Sequence, residues 1–402
     1  MNRLFRVLMI APTSFFYDYG CHVRILEEAR VLRKLGHQVT IVTYYQGRDL
    51  PDLEIIRTRP APWRADYEVG SSLHKLAFDV FLGWRVFWVI LRRRFDLVHA
   101  HLHEGALMGA VLGRLRRLPL LFDFQGSLTG EMVDHRFLNP GGLWYRWVRL
   151  LEERIDHLAD VIVTSTHQGA ILLERTFGCN ACNVHPLPDC VNLDFFRPDV
   201  LSPEQVRARR VALGLPTDRP VVVYLGLLAE YQGTPHLLQA ARILRDRGVD
   251  AYFLLMGFPG VEGYRRMASE LGIGDRVVFT GKVPYEEAPA HLALGDIAVA
   301  PKLSDTEGAG KILNYMAMEL PTVAFDTPVS REYMGSLGCY AQPLGNVNSL
   351  ANGIQEWVFR AEQRRQLGQL LRQRAARHFS WDRTGRQLVN IYRELCRDSE
   401  RG

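Results

Sequence analysis

Residues 97–124 read LVHAHLHEGALMGAVLGRLRRLPLLFDF, and this stretch decides the fold class. A short apolar run at 97–100 precedes a helical pattern at 104–115, and a second apolar run follows at 120–124. Short apolar segments that alternate with longer helical ones are typical of parallel strands joined by helices. The stretch therefore predicts one strand–helix–strand unit of a parallel sheet.

The same alternation extends along most of the chain in two blocks. In the first block we predict strands at 5–11, 39–44, 97–100, 120–124 and 161–164, and helices at 22–35, 73–93, 104–115 and 145–158. In the second block we predict strands at 221–225, 252–256, 277–280, 297–300 and 322–325, and helices at 235–247, 263–271, 288–294 and 312–318. The sequence thus predicts an α/β protein with two doubly wound, Rossmann-like domains. Ligands of such sheets lie at the carboxyl ends of the strands.

A proline-bearing connection at 192–203 separates the two blocks. We therefore predict domains at 1–195 and 196–378, with a hinge between them so that they face each other. The last segment, 379–402, begins with FSWD. There Ser380 is a candidate cap for a final helix through residue 395, which has an apolar stripe that could pack on either domain.

Length and composition limit the class of function. The 402 residues suffice for two domains, and 47% apolar with 23% charged residues is typical of a folded globular chain. The formal charge of +5 suits an anionic ligand or an anionic lipid surface, and it is too small to indicate nucleic acid binding. Six scattered cysteines predict no disulfide framework, which fits a reducing cytoplasm. The first apolar run is too short for a signal sequence, so we expect a buried strand there.

The segment 73–93 is apolar on nearly all sides of the predicted helix, and arginines follow at its end. Charges at Lys75, Asp79 and Arg85 interrupt the run, so we predict no transmembrane span. Two interpretations stay open: a core helix between the sheet and a neighbour, or a surface that dips into lipid headgroups. A second arginine-rich run at 114–117 would extend such a surface.

The strongest candidate site lies in DTEGAGKILNYMAMELP at 305–321. Gly308 and Gly310 follow a predicted strand, and the next helix places Lys311 and Asn314 on one face. Backbone N–H groups at a helix start, with a lysine beside them, form a seat for a phosphate. A second lysine just past the strand also favours an anion site. The alternative is a plain turn in which glycine serves tight packing.

The first half holds weaker candidates. Gly20 precedes a predicted helix and would let a ligand approach the backbone, with Arg24 in the first turn. Three histidines alternate at 99–103, and one of them could contact substrate, although such runs are more often structural. The sequence CNAC at 179–182 lacks a second half of the kind that zinc sites have, so we predict no metal site.

Six motifs occur in a fixed order along nearly the whole chain. They are the helix after Gly20, DLVHAH (96–101), LPDCVNLDFFRP (187–198), YLGLLAEYQG (224–233), VVFTGKVP (277–284), and EGAG (307–310) with the segment through Pro321. This order resembles the retaining GT-B glycosyltransferases of family four, also called glycosyltransferase group one. The resemblance implies two facing Rossmann-like domains and a closing helix that crosses back to the first domain. It also implies a donor nucleotide sugar held mainly by the C-terminal domain, an acceptor held by the N-terminal domain, and no required metal.

Two cations of the family pattern are replaced in this chain. Where the family usually has Gly-Arg-Leu and then Lys-Gly to neutralise the donor diphosphate, this chain has Gly-Leu-Leu at 226–228 and Gln-Gly at 232–233. Retaining transfer needs the charge of the leaving diphosphate to be stabilised as the glycosidic bond breaks. Lys302, Lys311 and the helix start are the remaining candidates, and we hypothesise that Lys311 takes this role.

Other family positions also differ. Of the family's two glutamates, the second aligns with Asn314 and the first with Thr306 or Glu307, and a common strand-end His-Gly is replaced by Gln125-Gly126. The resemblance implies three groups of site residues. The catalytic residues are Lys311 and Glu307, the acceptor-side residues are His101 and Gln125, and the donor-binding residues are Gly20, Gly226, Gln232, Gly257, Val283, Lys302, Gly308, Gly310 and Asn314.

The resemblance implies a retaining, metal-independent hexosyltransferase without a cofactor, with a nucleoside-diphosphate sugar as co-substrate and a lipid-linked or polysaccharide acceptor. We expect a cytoplasmic protein, with a peripheral position on the inner face of the cell membrane as an option and an anionic membrane surface as a candidate partner. Nucleic acid is not expected as a partner. Two alternatives stay open: a glycosyltransferase-like binding or scaffold protein that has lost turnover, and a nucleotide-sugar epimerase on the same fold.

Overall fold

A computed structural model of the protein describes residues 3–18, 20–60, 73–134, 137–303 and 308–401. The chain divides into two compact units. Most of the first is formed by Met1–Asp189 and Trp381–Gly402, and the second is formed by Cys190–Asp305 and Ala309–Ser380. The limits at 195 and 378 that the sequence gives for the domains stay a prediction.

The first unit contains a seven-stranded parallel sheet. Its strands are β1 (Arg6–Ala11), β2 (Gln38–Thr43), β3 (Glu54–Arg57), β4 (Leu97–His101), β5 (Leu120–Phe124), β6 (Val161–Thr164) and β7 (Val184–Pro186). They lie in the order β3-β2-β1-β4-β5-β6-β7. Its helices are α1 (Gly20–Lys34), α2 (Leu73–Arg92), α3 (Leu102–Gly113), α4 (Leu128–Asp134), α5 (Leu143–Asp156), α6 (His167–Thr176) and the last helix of the chain (Trp381–Arg401).

The two faces of this sheet carry different side chains because successive residues of a strand point to opposite faces. Val98 and Ala100 of β4 belong to an apolar core with residues of α2, α3 and α5. His99 and Asp123 take the intervening positions of β4 and β5, so they point to the other face. There Arg24 of α1 contacts Asp123, and the last helix packs against α1.

The second unit contains a six-stranded parallel sheet. Its strands are β8 (Val221–Leu225), β9 (Tyr252–Met256), β10 (Val277–Gly281), β11 (Ile297–Ala300), β12 (Thr322–Phe325) and β13 (Cys339–Ala341). They lie in the order β10-β9-β8-β11-β12-β13. Its helices are α7 (Pro203–Ala212), α8 (Thr234–Asp246), α9 (Val261–Glu270), α10 (Ala288–Leu292), α11 (Lys311–Ala317), α12 (Pro328–Met334), α13 (Val347–Phe359) and α14 (Ala361–His378). The last helix of the chain is therefore α15.

Every strand that the sequence predicts is present, and its ends agree with the prediction within one residue. The sequence did not predict β3, β7 and β13, which are three of the four edge strands of the two sheets. These strands have three or four residues each, too few to show an apolar alternation. Ser380 directly precedes α15, and its backbone forms an isolated bridge with Val191.

Helix α2 has apolar side chains on a buried side and on an exposed side. Phe78 and Leu82 are buried in the core, as the first interpretation of this segment expected. Leu76, Val80 and Trp84 are exposed on the other side of the helix. Over the described parts of the chain, no helix is both long and apolar enough to cross a membrane.

Candidate functional site

The second sheet reverses its strand order at β8. The chain runs from β8 through β9 to β10 toward one edge, and β11 then pairs with the other side of β8. In open parallel sheets, ligands bind at the carboxyl ends of the strands beside such a switch point. Gly226 follows β8, Gly257 follows β9, and Lys302 comes shortly after β11. Three predicted donor-binding residues therefore lie at this edge.

Lys311 extends into the same edge from the first position of α11. Its Nζ donates hydrogen bonds to Gln232 Oε1 at 2.8 Å and to Tyr224 Oη at 3.2 Å. The ammonium also lies over the ring of Tyr224, 4.4 Å from the centroid, as in a cation–π contact. Burial raises the pKa of Tyr224 well above its usual value, so the hydroxyl is neutral and donates to Leu227 O at 2.6 Å. These contacts hold a positive charge in a defined place.

Glycine is required around Lys311 for reasons of space. Gly226 has a φ of 149°, and a Cβ at this residue would lie 2.6 Å from Lys311 Nζ. A Cβ on Gly257 would lie 2.0 Å from the carbonyl oxygen of Gly226. Gly233 has a φ of 76°, and its Cβ would lie 1.8 Å from Pro301 O. The loops after β8, β9 and β11 therefore approach one another too closely for side chains at Gly233 and Gly257, while the positive φ of Gly226 favours glycine there.

The remaining predicted donor-binding residues beyond position 280 occupy varied surroundings. Lys302 and Val283 are buried, while Gly308 and Gly310 are half-buried just before α11. Asn314 is half-buried and follows Lys311 by three positions, which places both on one side of α11. Glu307, the second predicted catalytic residue, lies outside the described residues.

The first sheet has its own switch point, between β1 and β4. At the carboxyl ends of β4 and β5, Asp123 joins both predicted acceptor-side residues. His101 Nδ1 lies 2.9 Å from Asp123 Oδ2, and Gln125 Nε2 donates to the same oxygen at 2.7 Å. Arg24 Nη2 donates to the other oxygen at 2.8 Å. Arg24 is thus part of this hydrogen-bond network. Gly20 is the first residue of α1, and a Cβ at this position would meet no other atom within 4 Å.

Charge in this network is distributed unequally because it is buried. Burial alone would raise the pKa of Asp123, but the Arg24 guanidinium and the His101 hydrogen bond lower it strongly, so Asp123 is a carboxylate. Burial and then repulsion from Asp123 raise the pKa of Glu28 well above its usual value. Burial and then the neighbouring His101 lower the pKa of His99, which stays neutral. Arg24 forms ion pairs with Asp123 at 2.8 Å and with Asp189 at 3.0 Å, and these pairs anchor the network.

Distances alone would permit a metal ion in this network, since ligand atoms of Glu28, His99, His101 and Asp123 lie close together. However, the Arg24 guanidinium lies 2.8 Å from Asp123 and 3.2 Å from Glu28. A cationic side chain therefore already contacts the two carboxyl groups that would bind the metal ion. The CNAC segment at 179–182 is not part of a metal-ligand cluster in the described chain.

His103 forms a separate cluster and does not share a face with His99 and His101, contrary to the alternation that the sequence suggested. It lies on α3, 3.3 Å from Asp156 Oδ1 and 3.7 Å from Glu152 Oε1. Burial lowers the pKa of His103, but the two carboxylates outweigh burial and raise it overall. The imidazole of α3 thus faces two acidic side chains of α5.

Two family models match the chain. The model described as "Glycosyltransferase Family 4" matches residues 20–195, and the model described as "Glycosyl transferases group 1" matches residues 205–374. The first match includes the Asp123 network, and the second includes Lys311 and Gln232. The chain belongs to the group 1/family 4 glycosyltransferases.

Relatives of this glycosyltransferase act on different acceptors. It is 38% identical over 178 residues to the GDP-mannose-dependent alpha-(1-6)-phosphatidylinositol monomannoside mannosyltransferase of Mycolicibacterium smegmatis, a match that covers 42% of this chain and 45% of that protein. It is 27% identical over 398 residues to the D-inositol 3-phosphate glycosyltransferase of Corynebacterium aurimucosum, which covers 93% of this chain and 90% of the relative. Among solved structures, sucrose-phosphate synthase from Thermosynechococcus elongatus matches with a TM-score of 0.80 at 20% identity, over 98% of this chain and 99% of that one. The fold is GT-B.

Sequence reasoning missed a polar group at the carboxyl edge of the first sheet of this glycosyltransferase. Lys75 Nζ lies 2.6 Å from Glu104 Oε1, and Tyr44 Oη donates to Asp79 Oδ1 at 2.6 Å. Burial, and then repulsion from Glu104, raise the pKa of Asp79 to about 7. A carboxyl group that titrates near neutral pH at a ligand-binding edge is a candidate functional group. The sequence signal for this group was the presence of charged residues, Lys75 and Asp79, in an otherwise apolar helix. Asp123 is likewise a charged residue in an otherwise apolar strand, LLFDF.

Proposed function

We propose that this glycosyltransferase is a retaining, metal-independent hexosyltransferase. It transfers a hexose from a nucleoside-diphosphate sugar to a lipid-linked or polysaccharide acceptor. The second unit binds the donor, and the first unit binds the acceptor. The observation that carries the proposal is the position of Lys311 Nζ, 2.8 Å from Gln232 Oε1 at the carboxyl edge of the second sheet.

Gln232 occupies the position where the family pattern has a lysine. Since Lys311 Nζ contacts the end of the Gln232 side chain, its charge lies within one hydrogen-bond length of the place that such a lysine would reach. The absence of a cation at residue 232 is therefore offset by a cation from residue 311. This supports a working donor site and argues against loss of turnover.

The chemistry requires positive charge at this place. When the bond between the sugar and the diphosphate breaks, negative charge develops on the leaving diphosphate, and a preorganised cation stabilises it. Tyr224 holds the ammonium of Lys311 through its hydroxyl and its ring, so little reorganisation is needed during the reaction. We therefore assign Lys311 to the leaving group and require no metal ion for this step. The side-chain amide of Asn314 serves a ribose hydroxyl, more weakly than a carboxylate would.

The relatives' printed names give a first choice of substrates. One relative is described as dependent on GDP-mannose and as acting on a phosphatidylinositol mannoside, and another as acting on D-inositol 3-phosphate. We propose GDP-mannose as the first donor to test and inositol-containing lipids as the first acceptors. His101 and Gln125, which Asp123 orients, are the proposed hydrogen-bonding groups on the acceptor side. A cytoplasmic location stays a prediction.

Calorimetric titration with GDP, UDP, ADP and TDP, each with and without EDTA, tests the donor site. We expect one nucleotide to bind with an affinity that EDTA does not change, and Lys311→Met to weaken it. No binding to any of the four would contradict the donor site. An affinity that disappears with EDTA would contradict metal independence alone.

Turnover then separates the three functions that the sequence left open. Transfer from the matching sugar nucleotide, with the anomeric configuration of the product read by NMR, is the expected result, and a product of the same configuration as the donor supports retention. Nucleotide binding without any product would support the scaffold protein. Conversion of the sugar nucleotide without an acceptor would support the epimerase.

A further inference from the structure

The outer sides of α2, α3 and α5 carry an unusual number of exposed large apolar side chains. We call this surface the α2–α3–α5 face. Its members are Leu76, Val80, Trp84, Leu107, Val111, Leu143, Trp144, Trp147 and Leu151. Val80 is 73% exposed, Trp144 76% and Trp147 68%. Large exposed apolar patches mark interaction surfaces in proteins that are otherwise well packed.

Helical spacing makes the members one continuous surface. Leu76, Val80 and Trp84 are four residues apart along α2, so they form a single stripe. Leu107 and Val111 do the same along α3. Helix α3 packs against α2 on one side and α5 on the other, which sets the three stripes side by side. The inner sides of the same helices pack in the apolar core beside the sheet. The apolar side chains of the outer stripes are therefore not needed to form this core.

The charged side chains around this face have nearly one sign. Within 75–94, 102–117 and 143–156, the exposed arginines are Arg85, Arg92, Arg93, Arg94, Arg114, Arg116, Arg117, Arg146 and Arg154. Among the side chains described in these segments, Glu153 is the one exposed carboxylate. Arg93 pairs with Glu54, and Arg116 donates to Leu91 O. The excess of positive charge suits a polyanionic surface.

We propose that the α2–α3–α5 face binds an anionic lipid bilayer, with its apolar stripes in the headgroup layer and its arginines on the lipid phosphates. Tryptophan suits this depth because its ring is apolar and its N–H is polar, and three of the exposed members are tryptophans. Apolar contact combined with basic side chains is the usual basis of binding at a membrane surface. The proposal goes beyond sugar transfer and does not depend on which donor or acceptor is used.

Charge also disfavours a second copy of the chain as the occupant. A symmetric dimer would place the same face of each copy against the other. The arginines around both faces would then meet, and like charges across an interface weaken association. An anionic bilayer removes this repulsion and covers the same apolar stripes.

Co-sedimentation of the full chain with vesicles tests the proposal in the absence of donor and acceptor, so its outcome is independent of turnover. The probes are vesicles of phosphatidylcholine alone and of phosphatidylcholine mixed with phosphatidylglycerol. We expect binding to the mixed vesicles that weakens at high salt. The double variant Trp84→Ser/Trp147→Ser should reduce the partition coefficient by about tenfold or more. Arg114→Ser/Arg117→Ser should reduce it by about tenfold at low salt.

Phe359→Ser is the matched control, because Phe359 is a 69% exposed aromatic residue on α13 of the second unit. It should leave vesicle binding unchanged, and circular dichroism and nucleotide binding should show that all variants fold. Binding that is equal on neutral vesicles, or that the tryptophan variant does not reduce, would overturn the proposal. So would sedimentation that shows a dimer which the tryptophan variant dissociates while vesicles do not bind.

Discussion

Replacing Lys311 with methionine removes one positive charge and nearly keeps the length of the side chain. An ammonium at ~4 Å from a phosphate charge contributes ~4 kcal/mol at an effective dielectric constant of about 20. Lys311 is half-buried, so solvent screening reduces the contribution to ~3 kcal/mol. Because this charge acts mainly on the leaving diphosphate, we expect kcat/KM for the donor to fall by about 10²–10³. The affinity for the free nucleoside diphosphate should fall by about tenfold.

The assay is steady-state transfer with the donor that calorimetry identifies. Lys34→Met is the matched control, because Lys34 is an exposed lysine of the first unit that pairs with Asp382, and its loss should not change kcat/KM. The sharper variant is the double replacement Lys311→Met/Gln232→Lys, which returns an ammonium to the same place from the neighbouring side chain. It should recover at least about tenfold of the lost kcat/KM. Gln232→Lys alone sets two ammonium groups ~3 Å apart, a repulsion of ~5 kcal/mol, and should lower activity.

A Lys311→Met protein with unchanged kcat/KM and unchanged nucleotide affinity would refute the assignment. Large losses in both the single and the double variant would carry a different meaning. They would show that Lys311 acts by holding Gln232 and Tyr224 in place, and that its charge does not act on the diphosphate.

Three further predictions concern stability. Gly233→Ala should lower the free energy of unfolding, measured by urea titration, by more than about 2 kcal/mol, because φ is positive and a Cβ would strike Pro301 O. Gly248 also has a positive φ, but a Cβ there would lie in open space, so Gly248→Ala should lower the free energy of unfolding by only ~1 kcal/mol. His103 has a raised pKa in the folded state, so its contribution to stability is complete below pH ~6.5 and is lost as pH rises through that raised value. His103→Gln should therefore flatten the fall in stability above pH ~6.5. Asp79 has a folded pKa of about 7, so its contribution to stability is lost as pH rises from ~4 to ~7. In thermal melts, the Asp79→Asn variant should therefore be more stable than the native protein by ~1–2 kcal/mol at pH ~8. At pH ~4 it should be no more stable than the native protein.

Central strands could be predicted from the sequence because each is buried on both faces and its composition shows this. The run VVVYL at 221–225 is one such strand, and it became β8. Edge strands lie under weaker constraint, since one side has no neighbour. The run EIIR of β3 and the run CYA of β13 are too short to differ from loop sequence.

Segment 73–93 shows a second limit of reading periodicity. Its composition supported both a core helix and a lipid-facing helix, and the two interpretations could not be separated because α2 has apolar residues on both sides. Only the neighbouring stripes on α3 and α5 show that the outer side continues across three helices. That continuity depends on packing between segments far apart in the chain, which periodicity does not contain.

The donor edge combines residues that sequence could find with a contact that it could not. Glycines after β8 and β9 and the lysine at the start of α11 were candidates from spacing. The hydrogen bond between Lys311 and Gln232, 79 residues apart in sequence, needed the structure. It also changes how the substituted positions are interpreted. Gly226 has a φ of 149°, and a Cβ there would stand 2.6 Å from Lys311 Nζ. Gly226, Gln232 and Lys311 therefore fit one another as a set, which supports the proposal that Lys311 replaces a cation at residue 232.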